Sequence, residues 1–292
     1  MIMNNIINNY SCYQLIFQQQ YDFIATARQL ELVIQRIPEL IFLLYSKERV
    51  YAMLLIEAKY KELFNTINTL TLQEYPTDDI MLSINNKHIY AVMKFKQHYA
   101  IPFVLQPEHF PFYKILADYT YKHTNSNISN SNSISMSISS SIPLLFTMHI
   151  KQHNERVSIA SYLRKHDLKR TSLFYAYSEH MRFKLQQTHY HSTLIVAGDD
   201  REILLKGLTA FKTQYFTYRI KSNKNYRNNN NKELYNSRLY KDIFNRPKKP
   251  LFNNNRYTVL SHTEVVSLML PDSLMLRLTI DGVRPYTTGK ML

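Results

Sequence analysis

Tryptophan is absent from this chain of 292 residues, and glycine occurs only at Gly198, Gly207, Gly282 and Gly289. So few glycines leave no room for a dinucleotide-binding Gly-x-Gly-x-x-Gly turn or a Gly-x-Ser-x-Gly nucleophile elbow. The nearest approach to a phosphate loop is Thr288-Gly289-Lys290, which lacks the upstream glycine and carries Met291 where a Ser or Thr would hold the metal. Cysteine is limited to Cys12, which excludes an intramolecular disulfide and a cysteine-based zinc cluster and suits a reducing compartment. Long apolar runs are missing too. The stretch Ile37–Ile56 is interrupted by Glu39, Lys47, Glu48 and Arg49, short of the roughly 20 uninterrupted apolar residues of a membrane span. Residues Met1–Tyr10 carry no basic side chain, unlike a secretory or Arg-rich transit segment. Among the eleven histidines, His189 and His191 would share one face of a strand, with His180 nearby. No acid stands at a matching spacing and no His-Glu-x-x-His occurs, so no metal site is expected. Asp199-Asp200 reads as a helix N-terminus and not as a catalytic pair. These absences predict a soluble, non-catalytic protein without a cofactor.

Acidic residues are scarce as well. Against 36 Lys and Arg stand 22 Asp and Glu, a formal net charge of +14, which favours a polyanionic partner. Hydrophobic residues make up 45% and aromatics 13%, with 23 Tyr and 15 Phe, enough for an ordinary core. The excess of Asn, Ile, Tyr, Lys and Phe over Gly and Trp follows AT-rich coding. It points to an organellar gene, with the mitochondrial matrix the expected location and the cytoplasm the alternative.

The length suggests two compact units. Apolar runs at Leu40–Tyr45 and Val50–Glu57, separated by Ser46–Arg49, predict a β-hairpin. Leu63, Ile67 and Leu70 predict a helix over Lys59–Leu70, closed by Tyr75-Pro76. Strands are expected at Met81–Ile84 and His88–Phe95, an extended connector at Ile101–Pro111 and a short helix at Phe112–Tyr121. Thr124–Ser141 is almost wholly Ser, Asn and Ile, a low-complexity, flexible insertion. Further on, Leu144–Ile150 and Ser192–Ala197 read as strands. Ile159–Leu185 reads as helical with a basic face, and Arg201–Tyr215 as a helix. After a long polar loop come a strand Arg256–Leu260, a helix Thr263–Leu270 and a strand Leu274–Ile280. The predicted fold is α+β: two ferredoxin-like units of βαβ type with antiparallel sheets, one over residues 1–120 and one over 144–292, joined by the insertion 121–143.

The strongest functional feature is the loop 219–256. It carries Arg219, Lys221, Lys224, Arg227, Lys232, Arg238, Lys241, Arg246, Lys248, Lys249 and Arg256 against only Glu233 and Asp242. Tyr226, Tyr235, Tyr240, Phe244 and Phe252 are interleaved. Cations neutralise phosphates and aromatic rings stack on unpaired bases, so these basic residues with Tyr226, Tyr235 and Tyr240 form the candidate nucleic-acid site.

Two resemblances bear on the partner. The succession strand, helix, basic loop, strand, helix, strand over 190–285, with Glu264-Val265-Val266-Ser267-Leu268-Met269 in its second helix, resembles the small-subunit ribosomal protein S-ten family. That resemblance implies rRNA and neighbouring proteins of a large assembly as partners, and a structural role in a ribosomal subunit. Tyr75-Pro76 and the stretch Leu260–Pro271, with Glu264 and Pro271 kept, are similar to the region preceding the motor of conjugation-type, HerA-like DNA-translocating ATPases. This second resemblance implies an accessory protein acting beside DNA, without ATP hydrolysis of its own because no motor segment follows in the chain.

Overall fold

Alternation of large apolar side chains begins well before Leu40. Tyr13, Leu15 and Phe17 point to one side of a strand and Cys12 to the other, the period of two that a strand imposes. In the computed structural model, which describes residues 10–18, 22–46, 50–76, 80, 84, 87–96, 98–102, 112–118, 142–167, 180–211, 216–223, 237–245, 247 and 258–271, this run is β1 (Ser11–Phe17). Helix α1 (Phe23–Ile34) follows, its first turn capped by the Asp22 carboxylate, which accepts from the Ala25 N–H at 3.1 Å. The predicted hairpin is present as β2 (Glu39–Ser46) and β3 (Val50–Ile56). Both strands are buried along their whole length, which is why they read as continuous apolar runs and not as alternation.

The expected helix over Lys59–Leu70 is a 3₁₀ helix, Ala58–Thr66, and Leu70 instead opens β4 (Leu70–Glu74). Tyr75-Pro76 therefore closes a strand. Ile84, placed in a strand by the sequence reading, is helical and buried, as is Ile80 one turn before it. Next come β5 (Ile89–Phe95), helical residues 112–118, β6 (Leu144–Gln152) and α2 (Arg156–Asp167). Of the segment expected as helical over Ile159–Leu185, the residues up to Asp167 and residues 180–185 are helical, and 168–179 lie outside the described residues. Strand β7 (His189–Gly198) leads through Asp200 into α3 (Arg201–Leu208). Asp200 caps α3 by accepting from the Ile203 N–H at 2.8 Å, as the Gly198-Asp199-Asp200 turn predicted. Helix α3 is shorter than expected: it ends at Leu208, Thr209 and Ala210 form a turn, and β8 (Phe216–Ser222) follows. The chain continues through α4 (Arg238–Phe244), β9 (Thr258–Ser261) and α5 (His262–Met269). A capping box explains where α5 starts: the Ser261 hydroxyl accepts from the Glu264 N–H while Glu264 accepts from the Ser261 N–H. The insertion 121–143, except Ile142 and Pro143, and the expected strand Leu274–Ile280 lie outside the described residues.

The nine strands among the described residues form one antiparallel sheet, in the order β4-β1-β3-β2-β6-β7-β5-β8, with β9 also pairing β7. The chain is therefore a mixed helix-and-strand protein built on a shared sheet. Strand β5, assigned from sequence to the first unit, lies between β7 and β8. The order divides at the β2–β6 seam into Ser11–Glu74 and Ile89–Ser222. Within each half the strands run fourth, first, third, second from the outer edge inward.

The sheet has a core on each face. The larger one gathers α1, α3, α5 and residues 112–118 over Leu40, Phe42, Leu54, Phe146, Met148 and Val196. Gly207 of α3 makes this close approach possible, since an added Cβ would lie 2.7 Å from Leu144 Cδ1. The smaller core sets Ile80, Ile84 and the apolar side of α4 (Leu239, Tyr240, Ile243, Phe244) against Ile41, Leu43, Met53, Leu145 and Ile195. Cys12 belongs to this second core, where burial pushes its thiol up to about 12, so it is an inert packing residue.

Candidate nucleic-acid interface and an internal histidine–glutamate cluster

Of the candidate basic loop, the structure describes Arg219, Lys221, Arg238, Lys241 and Tyr240; Lys224, Arg227, Lys232, Arg246, Lys248, Lys249, Arg256, Tyr226 and Tyr235 lie outside the described residues. The described part is not a loop. Arg219 and Lys221 are on β8, and Arg238, Tyr240 and Lys241 are on α4. Tyr240 is a correction. It is buried in the second core and its ring lies 4.5 Å from that of Phe244, so no base can stack on it. The spacing 239, 240, 243, 244 is one side of a helix, and that side covers the sheet.

A polar network ties α4 down. Asp242 Oδ2 accepts from the Tyr90 hydroxyl at 2.7 Å and from Lys221 Nζ at 2.6 Å. Asn223 Oδ1 accepts from the Leu239 N–H at the helix start, while its amide donates to the Lys87 carbonyl. The Ile243 carbonyl lies 2.9 Å from His149 Nδ1. Lys221 thus serves an internal contact. Arg219 and Arg238 are exposed.

Register extends this cationic surface beyond the expected segment. Lys94 pairs with Thr217 and Val92 with Arg219. By alternation Lys94, Thr217 and Arg219 share with Lys221 the face that carries α4, and all three are exposed. Lys94 and Arg219 are diagonal cross-strand neighbours. Sequence reasoning missed Lys94, because only pairing of β5 with β8 brings residues 94 and 219 together.

Among the described residues three acids are used inside, Glu39, Glu155 and Glu264, while Asp22, Glu62, Glu74, Asp118, Asp200 and Glu202 are exposed. Glu264 and Lys184 form a buried pair at 2.7 Å, with Lys184 Nζ also donating to the Val259 carbonyl at 3.1 Å. Burial pulls Lys184 below the usual lysine range, and Glu264 opposes that pull. Lys87, likewise lowered by burial, pairs with Asp199. Glu39 on β2 meets His149 on β6 at 3.0 Å across the seam of the two halves. His189 and His262 are both pulled down to about 4 by burial. His189 lies against the Lys184 carbonyl, and His262 Nδ1 accepts from the Thr188 N–H.

A second cluster sits where β6 turns into α2. His153 Nδ1 lies 3.1 Å and His191 Nε2 2.8 Å from the same oxygen, Glu155 Oε1. The two imidazoles are stacked, with centroids 4.1 Å apart. The Tyr99 hydroxyl donates to Glu155 Oε2 at 3.3 Å, and His98 stacks between Tyr99 and Tyr162. The Glu155 carbonyl accepts the Ile159 N–H, opening α2. The expectation of no metal-ligand set rested on the lack of an acid near His189 and His191 in sequence. Lys151 pairs with His191, and this pairing brings Glu155 to His191 from 36 residues away. His180 is not part of this cluster. The signal available in sequence was His153-Asn154-Glu155.

No family model matches the chain, and no curated protein matches it, so its function is read from these residues alone.

Proposed function

We propose that this protein is a non-catalytic component of a ribonucleoprotein, a small ribosomal subunit being the leading candidate, and that it holds RNA on the exposed cationic part of its sheet. The observation that carries the reading is the local charge of the β5–β8 edge, two strands that carry cations and no acid. Glu39, Glu155 and Glu264 are buried in internal contacts, and Asp199 and Asp242 are held by Lys87 and Lys221. Lys94, Arg219 and Arg238 face solvent. A sheet face bearing cations suits single-stranded RNA, whose phosphates it neutralises. No membrane-spanning role competes with this reading on helical grounds, because no helix among the described residues is long and apolar enough to cross a bilayer.

The strand order further supports two ferredoxin-like units, Ser11–Glu74 and Ile89–Ser222, as the architectural basis of the fold. In this reading the low-complexity segment is an insertion in the first crossover of the second unit, and not a linker between units. A mitochondrial location is part of the same proposal and follows from the coding bias.

The test is binding to rRNA fragments at stepped salt, beside co-sedimentation with the small ribosomal subunit. Affinity should fall linearly on a log–log plot, with a slope of about −0.7 per single-strand phosphate neutralised. The double variant Lys94→Glu/Arg219→Glu should bind more weakly and with a shallower slope, at unchanged melting temperature. Binding that ignores the double variant, or recovery of the protein only in free fractions, would overturn the proposal. Tighter binding to duplex DNA would favour the DNA-accessory reading.

A further inference from the structure

We infer that His153, Glu155 and His191 form a binding site for one divalent transition-metal ion of the Zn²⁺ class, a function separate from the nucleic-acid surface. Three donor types suited to Zn²⁺, two imidazole nitrogens and a carboxylate oxygen, converge with all ligand atoms within 4.8 Å of one another. Zinc–ligand bonds of about 2.0–2.1 Å in a tetrahedron set neighbouring ligand atoms about 3.3 Å apart. Glu155 Oε1 already stands 3.1 Å and 2.8 Å from the two nitrogens, so only shifts of about half an ångström are needed on that side.

The chemistry of the exchange is balanced. Without metal, each neutral ring can donate an N–H to Glu155 Oε1. On metal binding each ring presents that nitrogen's lone pair and carries its proton on the other nitrogen, so no net proton need leave. Tyr99 donates to Glu155 Oε2, an outer contact of the kind that fixes a ligating carboxylate in orientation.

The setting separates this cluster from an ordinary surface ion pair. The Glu155 side chain is 0% exposed and that of His191 5%, while His153 is 47% exposed. The carboxylate is thus presented from inside the protein, and His153 closes the site from the solvent side. Three protein ligands leave a fourth position for water on that side. A bound ion would fasten the β6–α2 corner to β7. The other buried histidines offer no such set: His149 meets one carboxylate and a carbonyl, and His189 meets a carbonyl.

The test uses the full chain, freed of metal with a chelator and titrated with Co²⁺ and then with Zn²⁺. One equivalent of Co²⁺ should bind with visible ligand-field absorption, Zn²⁺ should displace it, and either ion should raise the melting temperature. His153→Ala, at a half-exposed position, should weaken binding by more than the roughly 10–100-fold that losing an outer-shell partner costs. His88→Ala, outside the cluster, should leave affinity unchanged. Failure of the native chain to take up either ion, or equal uptake by native protein and His153→Ala, would overturn the inference. Neither result bears on RNA binding, which the Lys94/Arg219 variant tests independently.

Discussion

The two halves of the sheet repeat one strand order but handle polarity in opposite ways. Ser11–Glu74 has an almost wholly apolar core, mostly Leu, Ile, Phe and Tyr. Its buried polar side chains are Gln14, Thr26, Glu39 and Ser46, and Glu39 faces the other half. The second half buries His149, Glu155, Lys184, His189 and His191, and Lys87 just before it and Glu264 and His262 from the following α5 join them. Every histidine and every glycine of the chain lies at or beyond His88. The difference teaches that a strand order sets where side chains can meet, while the choice of side chain decides whether a half is only a scaffold or also carries chemistry. A core of apolar side chains tolerates local change by repacking. Buried ions require every partner to be present.

That contrast can be broken most severely at Lys184. Lys184→Met should cost about 3–5 kcal/mol, because it strands the Glu264 carboxylate in the interior. Adding Glu264→Gln, which neutralises that carboxylate and keeps an acceptor for the Ser261 N–H, should recover more than half of the loss in urea unfolding. No recovery would mean that the pair does not act as a unit. A smaller effect is expected at the seam. Glu39→Ala removes the carboxylate facing His149 and should cost about 1.5–3 kcal/mol, the range for a hydrogen bond to a charged group. If the halves rely on this contact to unfold together, the single transition of the native protein should split, which calorimetry reads directly. The gentlest probe is pH. His189 and His262 protonate near 4 when folded and near their ordinary 6.5 when unfolded. The unfolded chain therefore takes up their protons first. Stability should be full above pH 6.5 and decline as pH falls towards 4. The double variant His189→Gln/His262→Gln should show a shallower decline in melting temperature over that window.

Legibility followed the range of the interactions. The β2–β3 hairpin, β6, β7 and the start of α3 were readable because apolar runs and a capping aspartate are local signals. Strand β1 was not read, since Cys12–Phe17 is short and lies among Asn and Gln. Helix α4 lies in a segment expected as loop: its seven residues offer one short apolar side, Leu239, Ile243 and Phe244, inside a stretch dense in charge and Asn. The position of β5 between β7 and β8, the company of Lys94 with Arg219 and the meeting of Glu155 with His191 all depend on pairing between distant segments. Local periodicity carries no record of such pairing.

The β2–β6 seam has one more consequence. In the proposed two-unit reading it joins like to like: the second strand of one unit runs antiparallel to the second strand of the other, from Glu39↔Lys151 to Tyr45↔Leu145. This is how an isologous dimer would close, here with both subunits on a single thread. The connector between Glu74 and Lys87 then raises effective concentration and also supplies Ile80 and Ile84 to the second core. Cleaved there, the two pieces should reassemble, each covering an edge strand that would otherwise invite aggregation.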